Sequence, residues 1–152
     1  MKNFDTQPAG SIQTRERATA PAPRSADGAI LLVEDDKVLR RYLEVLIGRA
    51  GYAVVTAADG LEAIKIAFGS KPAAVVTDAV MPRLGGHELC RILRSRAEHA
   101  RLPIILLSGE ARDDSAAAAG YADAHLTKPV RAEELIDCLR RLVARAAPAR
   151  KE

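Results

Sequence analysis

Ile30-Leu31-Leu32-Val33-Glu34-Asp35-Asp36 is an unbroken apolar run, opened by Ala29, that ends abruptly in three acids. A strand covered on one face alternates apolar with polar residues. A strand apolar throughout is covered on both faces. Residues 29–33 are therefore expected inside a sheet with helices on either side. Just downstream, Leu39, Leu43, Leu46, Ile47 and Ala50 recur at helical spacing. Asp36 can cap that helix at its start, and Gly51 stands where a left-handed residue would end it.

The same alternation continues along the chain. Val54–Ala57 and residues 73–77, 103–107 and 124–127 are further short apolar strands. Asp59-Gly60-Leu61-Glu62 resembles a capping box and starts a helix expected to bury Leu61, Ile64 and Phe68. Gly86 opens a helix with Leu89, Ile92 and Leu93 inward. A short alanine-rich helix is expected over about 113–119. A last one over about 132–146 would bury Leu135, Cys138, Leu139, Leu142 and Val143. Strict alternation of strand and helix predicts an α/β fold, a doubly wound parallel sheet with helices on both faces. Right-handed crossovers leave few topologies. The flavodoxin-like (βα)5 order 2-1-3-4-5 makes strands one and three neighbours at the switch point, so that Asp35 and Asp78 end side by side.

Ligands of such sheets bind at the carboxyl ends of the strands. Glu34 and Asp35, Asp78, Ser108 and Lys128 each stand just past a predicted strand. Their convergence would gather carboxylates, one hydroxyl and one ammonium, the groups needed to bind a divalent cation and a phosphoryl group together. Each feature alone has a plainer reading. An acidic pair after a strand is often an N-cap, and Ser-Gly or Lys-Pro is often a turn. Met81-Pro82 and Gly85-Gly86 read as turn geometry.

At 152 residues the chain predicts a single domain with a real core. It is 48% hydrophobic and 28% charged, as ordinary globular proteins are. Aromatics make up only 3% and Trp is absent, which argues against a base-stacking nucleic-acid binder. The net charge of +3 gathers toward Arg140, Arg141, Arg145, Arg150 and Lys151. These cations suit a helix C-terminus; a nucleic-acid role for them is secondary. Cys90 and Cys138 lack CxxC spacing and read as buried free thiols. No stretch approaches the ~18 apolar residues of a membrane span, and no signal-peptide core is present. A cytoplasmic setting without membrane attachment is expected. Residues 1–28, with Pro8, Pro21 and Pro23 and no apolar periodicity, read as a disordered tail. Residues 29–146 form the folded body, and 147–152 a frayed end.

Four stretches now matter jointly: Ile30-Leu-Leu-Val-Glu34-Asp35-Asp36, Val75-Val-Thr-Asp78-Ala-Val80-Met81-Pro82-Arg-Leu-Gly-Gly86, Leu106-Leu-Ser108-Gly109 and Leu126-Thr-Lys128-Pro129. In this order and at strand ends, they resemble the receiver domain of a bacterial two-component response regulator, over about residues 29–146. The resemblance implies a stand-alone, non-enzymatic signalling switch. Asp78 would accept a phosphoryl group from a phospho-histidine donor. Glu34, Asp35, Asp78 and the Val80 backbone carbonyl would hold Mg2+, Glu34 through water. Lys128 would pair with Asp78 and contact a phosphoryl oxygen. Ser108 would hydrogen-bond the attached group, and His125 would be the switch residue that turns inward with it; an ordinary half-exposed strand histidine is the other reading. Pro129 would follow a cis peptide bond. Met81 and Pro82 would be structural residues near the site. His87 and His99 have no metal-spaced partners and read as surface residues.

The implied partners are a sensor histidine kinase or a histidine phosphotransfer protein. No DNA-binding domain follows residue 146, so output is expected through an unknown protein partner, a homodimer or a further phosphorelay step. The face expected to signal comprises the 113–119 helix, strand five and the last helix. Two departures from the family stand out. The stretch from Ser108 to Lys128 is shorter than usual, leaving the 113–119 helix short. Val80 and Glu110 occupy the positions that tune dephosphorylation, and apolar Val80 implies a long-lived phosphoryl group.

Other functions fit less well. A shuttle or sink for phosphate and a non-phosphorylated docking receiver stay within the family. A Mg2+-dependent phosphatase of the haloacid dehalogenase type would want an acid where Val80 stands, and a cap domain. A flavin-binding module would want a phosphate-cradling loop, not acids, after strand one.

Overall fold

The computed structural model describes residues 27–109 and 120–147. The expected 113–119 helix, Glu110, residues 1–26 of the N-terminal tail and 148–152 of the C-terminal end lie outside the described residues.

The described residues build one five-stranded sheet: β1 (Ile30–Val33), β2 (Val54–Ala57), β3 (Ala74–Asp78), β4 (Ile104–Ser108) and β5 (Ala124–Thr127). All neighbours pair in parallel, in the order β2-β1-β3-β4-β5. Four α-helices accompany them: α1 (Lys37–Arg49), α2 (Gly60–Phe68), α3 (Gly86–Arg94) and α4 (Ala132–Ala146), with a 3-10 turn at Ala97–His99. No helix among the described residues is long and apolar enough to cross a membrane.

The apolar run of β1 has the consequence expected of it. Successive strand residues point to opposite faces, so Leu31 and Val33 enter one core with Ala63, Ala67, Leu89 and Leu93 of α2 and α3. Ile30 and Leu32 enter the other with Leu43 and Ile47 of α1 and Leu135 and Leu139 of α4. All four are fully buried. Helix ends follow local chemistry. The Asp36 carboxylate accepts from the Val38 and Leu39 amides at 2.9 and 3.1 Å, and Gly51 follows α1 at a φ of 105°. Cys90 and Cys138 are free and buried, and burial pushes the Cys90 thiol up to about 12.

Several details differ from expectation. Asp78 and Ser108 are the last residues of β3 and β4, not the first after them. The inward stripe of α2 is Gly60, Ala63 and Ala67, while Leu61 and Phe68 are 46% and 37% exposed. Close approach of another segment explains this. A Cβ on Gly60 would lie 2.5 Å from the Leu84 carbonyl oxygen, so the helix turns its smallest residues inward. In α3, Cys90 is buried beside Leu89 and Leu93, and Ile92 is half-buried. His99 is not a surface residue: it is 4% exposed and stacks on Phe68 at 5.8 Å between centroids. Arg96 covers the same ring at 4.2 Å.

Candidate functional site

The register carries the candidate residues to one edge. Val33 of β1 pairs with Thr77 of β3, so Glu34 and Asp78 are the next residues on adjacent strands. Ser108 pairs with Thr127 on the other side, and the Lys128 amide donates to the Ser108 carbonyl at 2.7 Å. Oxygen atoms of Glu34, Asp35 and Asp78 lie within 4.8 Å of one another. The Lys128 ammonium is 3.1 Å from Asp78 Oδ1 and 3.3 Å from Glu34 Oε1. Glu34 and Asp78 are 1% and 7% exposed, and Asp35 is open to solvent.

Glu34 is held tightly for an acid so deep. The Asp36 amide donates to its Oε2 at 3.1 Å, and Arg40 donates to its carbonyl at 2.8 Å. Burial pushes its carboxyl above the usual range. The Asp36 amide opposes that shift, the Asp78 charge adds to it, and Lys128 opposes it. Burial works to lower the Lys128 ammonium. The hydrogen bond to Asp78 and the charge of Glu34 outweigh it, and the net shift is upward. Three carboxylates facing one ammonium leave two negative charges. An all-oxygen set with that residual charge fits a hard divalent cation.

The remaining residues occupy the surroundings. Ser108 is buried at the edge. Val80 projects from the β3–α3 loop with 78% of its surface exposed, Met81 tucks into the core, and Pro82 is exposed. The Lys128–Pro129 peptide is cis. His125 lies on β5 opposite Leu106 and is exposed.

One ion pair beside this region, Arg83 with Asp59, had no local sequence signal as a pair. Arg83 donates through Nε and Nη2 to Asp59 Oδ2 at 3.0 and 2.5 Å, tying the β3–α3 loop to the start of α2. Asp59 was legible as a cap, and its Oδ1 accepts from the Glu62 amide at 2.9 Å. Its partner Arg83 lies far along the chain, where no spacing rule reaches.

Comparison with known proteins agrees with this arrangement. The response regulator receiver domain model matches residues 30–140. The response regulator MprA of Mycobacterium sp. (strain KMS) is 43% identical over 123 residues, covering 78% of this chain and 52% of that protein. MprA of Mycolicibacterium vanbaalenii matches equally, at 43% and the same coverage. The chain thus spans about half the length of these relatives. Among solved structures, the response regulator TrrA from Thermotoga maritima in complex with Mg(2+)-BeF superposes with a TM-score of 0.71 at 29% identity. It covers 76% of this chain and 98% of that one. The receiver domain of a sensor histidine kinase from Pseudomonas aeruginosa, with magnesium coordinated in its active-site cleft, gives 0.72 at 30% identity, covering 78% and 99%.

Proposed function

Because the chain belongs to the response regulator receiver domain family, we propose that it is a phosphorylation switch whose acceptor is Asp78. Receiver domains are signalling proteins of two-component systems. They interact with histidine kinases or phosphotransfer proteins and bind Mg2+ at an acidic pocket. The observation that carries the reading for this chain is the Lys128–Asp78 pair, 3.1 Å apart beside two further carboxylates at the carboxyl edge of the sheet.

In the proposed reaction an Asp78 carboxylate oxygen forms a new bond to phosphorus. The nitrogen–phosphorus bond of a phospho-histidine donor breaks, and the imidazole leaves with the electron pair and takes up a proton. Such transfer depends on positioning and charge neutralisation. Lys128, already within hydrogen-bond reach of Asp78, would follow the charge onto a phosphoryl oxygen. Glu34, Asp35, Asp78 and the Val80 carbonyl would hold Mg2+, whose charge offsets that of the acids and the phosphoryl oxygens. Ser108, buried at the end of the strand beside β3, would donate to the attached group, and His125 would respond to that movement.

Residues 29–146 act as the receiver unit in this reading, in the cytoplasm. The signal leaves through the face around β5 and α4 by changing affinity for a partner, a population shift biased by a local charge change. Stand-alone action, with a separate protein as output, is the finer form of the proposal. The longer relatives offer an attached effector region as the other route.

Acetyl phosphate with and without Mg2+, read as a mobility shift for wild type and Asp78→Asn, tests the acceptor. A Mg2+-dependent shift lost in the variant is the expected result. A shift retained in Asp78→Asn would overturn it.

A further inference from the structure

The loop 80–85 joins β3 to α3 and carries the Val80 carbonyl. Its base is fixed to the sheet. The Ala79 amide donates to the Leu107 carbonyl at 2.8 Å, and the Gly86 amide to the Ala79 carbonyl at 2.9 Å. Its far side is fixed to α2. The Gly60 amide donates to the Leu84 carbonyl at 3.2 Å, and Arg83 grips Asp59 with two nitrogens. Asp59 is 6% exposed, so this is a buried anchor, and Arg83 reaches it from a side chain that is mostly outside.

Arg83 achieves this with a φ of 68°. That left-handed conformation is free to glycine and strained for other residues. Among the described residues no other non-glycine adopts a positive φ. The Leu84 amide donates to the Pro82 carbonyl at 2.7 Å across Arg83, so a tight backbone turn and the side-chain grip together hold the strained residue. Among the described residues the hydrogen bonds of that side chain run to Asp59. Val80–Pro82 spans the gap between the strand anchor at Ala79 and this second anchor.

We propose that the Arg83–Asp59 pair is the positioning device for the metal side of the site, fixing the Val80 carbonyl relative to Glu34, Asp35 and Asp78. The inference rests on the phospho-acceptor reading above. The start of α2, absent from the acid cluster, thereby becomes part of what determines metal affinity.

Mg2+ binding by calorimetry tests it, with thermal unfolding in the absence of Mg2+ as the check on folding. Arg83→Gly removes the grip and relieves the backbone. It is expected to weaken Mg2+ about tenfold, the low end of what losing a supporting partner of a metal site costs. Asp59→Asn keeps an oxygen for the Glu62 amide but not the charge, and is expected to weaken Mg2+ similarly. The double variant should bind no more weakly than either single one, since both remove one interaction. Arg83→Lys, which keeps a charge without the planar fork, should fall between wild type and glycine. Wild-type affinity in Arg83→Gly, or losses that add in the double variant, would overturn the positioning role while leaving the metal site intact. Absence of Mg2+ binding by the wild type would overturn the site reading itself, and the positioning role with it.

Discussion

Val80 stands two places after Asp78, exposed and without a side-chain atom that could hold a water. Loss of an acyl phosphate needs a water aligned on phosphorus, so under the proposed function the apolar side chain would favour a long-lived phosphorylated state. Val80→Asn, which supplies a donor and an acceptor, is predicted to speed dephosphorylation by about tenfold, the effect of ~1.4 kcal/mol of barrier. Phosphate release from the purified phosphoprotein measures this, and equal rates would contradict it. The acids and Lys128 were legible as single residues because each ends an apolar strand, and the edge of a parallel sheet gathers such ends. His99 was not. Its burial comes from a ring stack with Phe68, a contact between residues 31 positions apart that no local period encodes.

At the scale of elements, the strands and helices were legible where periodicity was strong, and their facing was not always. α2 illustrates the limit. Ile64 packs against the core as its spacing predicts, yet Leu61 and Phe68 are exposed, because the stripe that faces inward is set by Gly60 meeting Leu84. Arg94 is similar: it ties α3 to the start of β4 by donating to the carbonyls of His99, Leu102 and Tyr121 and to Asp123. Nothing in the spacing of the α3 residues signals that role. The junction of β3 and α3 yields a sharp prediction. A Cβ on Gly86 would fall 2.1 Å from the Asp78 carbonyl oxygen, a contact that only backbone movement relieves. Gly86→Ala is expected to destabilise the fold by about 1–3 kcal/mol, the usual cost of forced overpacking. Because the displaced residue is Asp78, it should also slow phosphorylation more than an equally destabilising change in α4. Denaturant unfolding and acetyl phosphate labelling on the same samples check both parts. Wild-type stability in Gly86→Ala would contradict the packing account. Asp36 gives a milder case: Asp36→Ala removes the cap of α1 and is predicted to cost ~1 kcal/mol by the same unfolding measurement.

For the whole molecule, sequence alternation predicted a doubly wound parallel sheet, right-handed connections left few strand orders, and the order favoured among them, 2-1-3-4-5, is the one found. The charge balance of the edge was harder to foresee, since it depends on Lys128 reaching two acids at once. If the proposed metal site is right, that balance ties folding to the cation. A ligand bound only by the folded state adds ~2.7 kcal/mol at a hundred times its dissociation constant. Mg2+ is therefore predicted to raise the unfolding midpoint, chelation to reverse the rise, and Asp35→Ala to abolish it, all read by thermal melts. A midpoint indifferent to Mg2+ would mean that the three acids do not form a metal site. The most direct measurement of the central claim is borohydride reduction of the acetyl phosphate-treated protein, followed by peptide mass mapping. Reduction converts an aspartyl phosphate to homoserine and marks the acceptor. The predicted result is homoserine at position 78, dependent on Mg2+ during labelling; homoserine at any other acid, with Asp78 unmodified, would contradict the account.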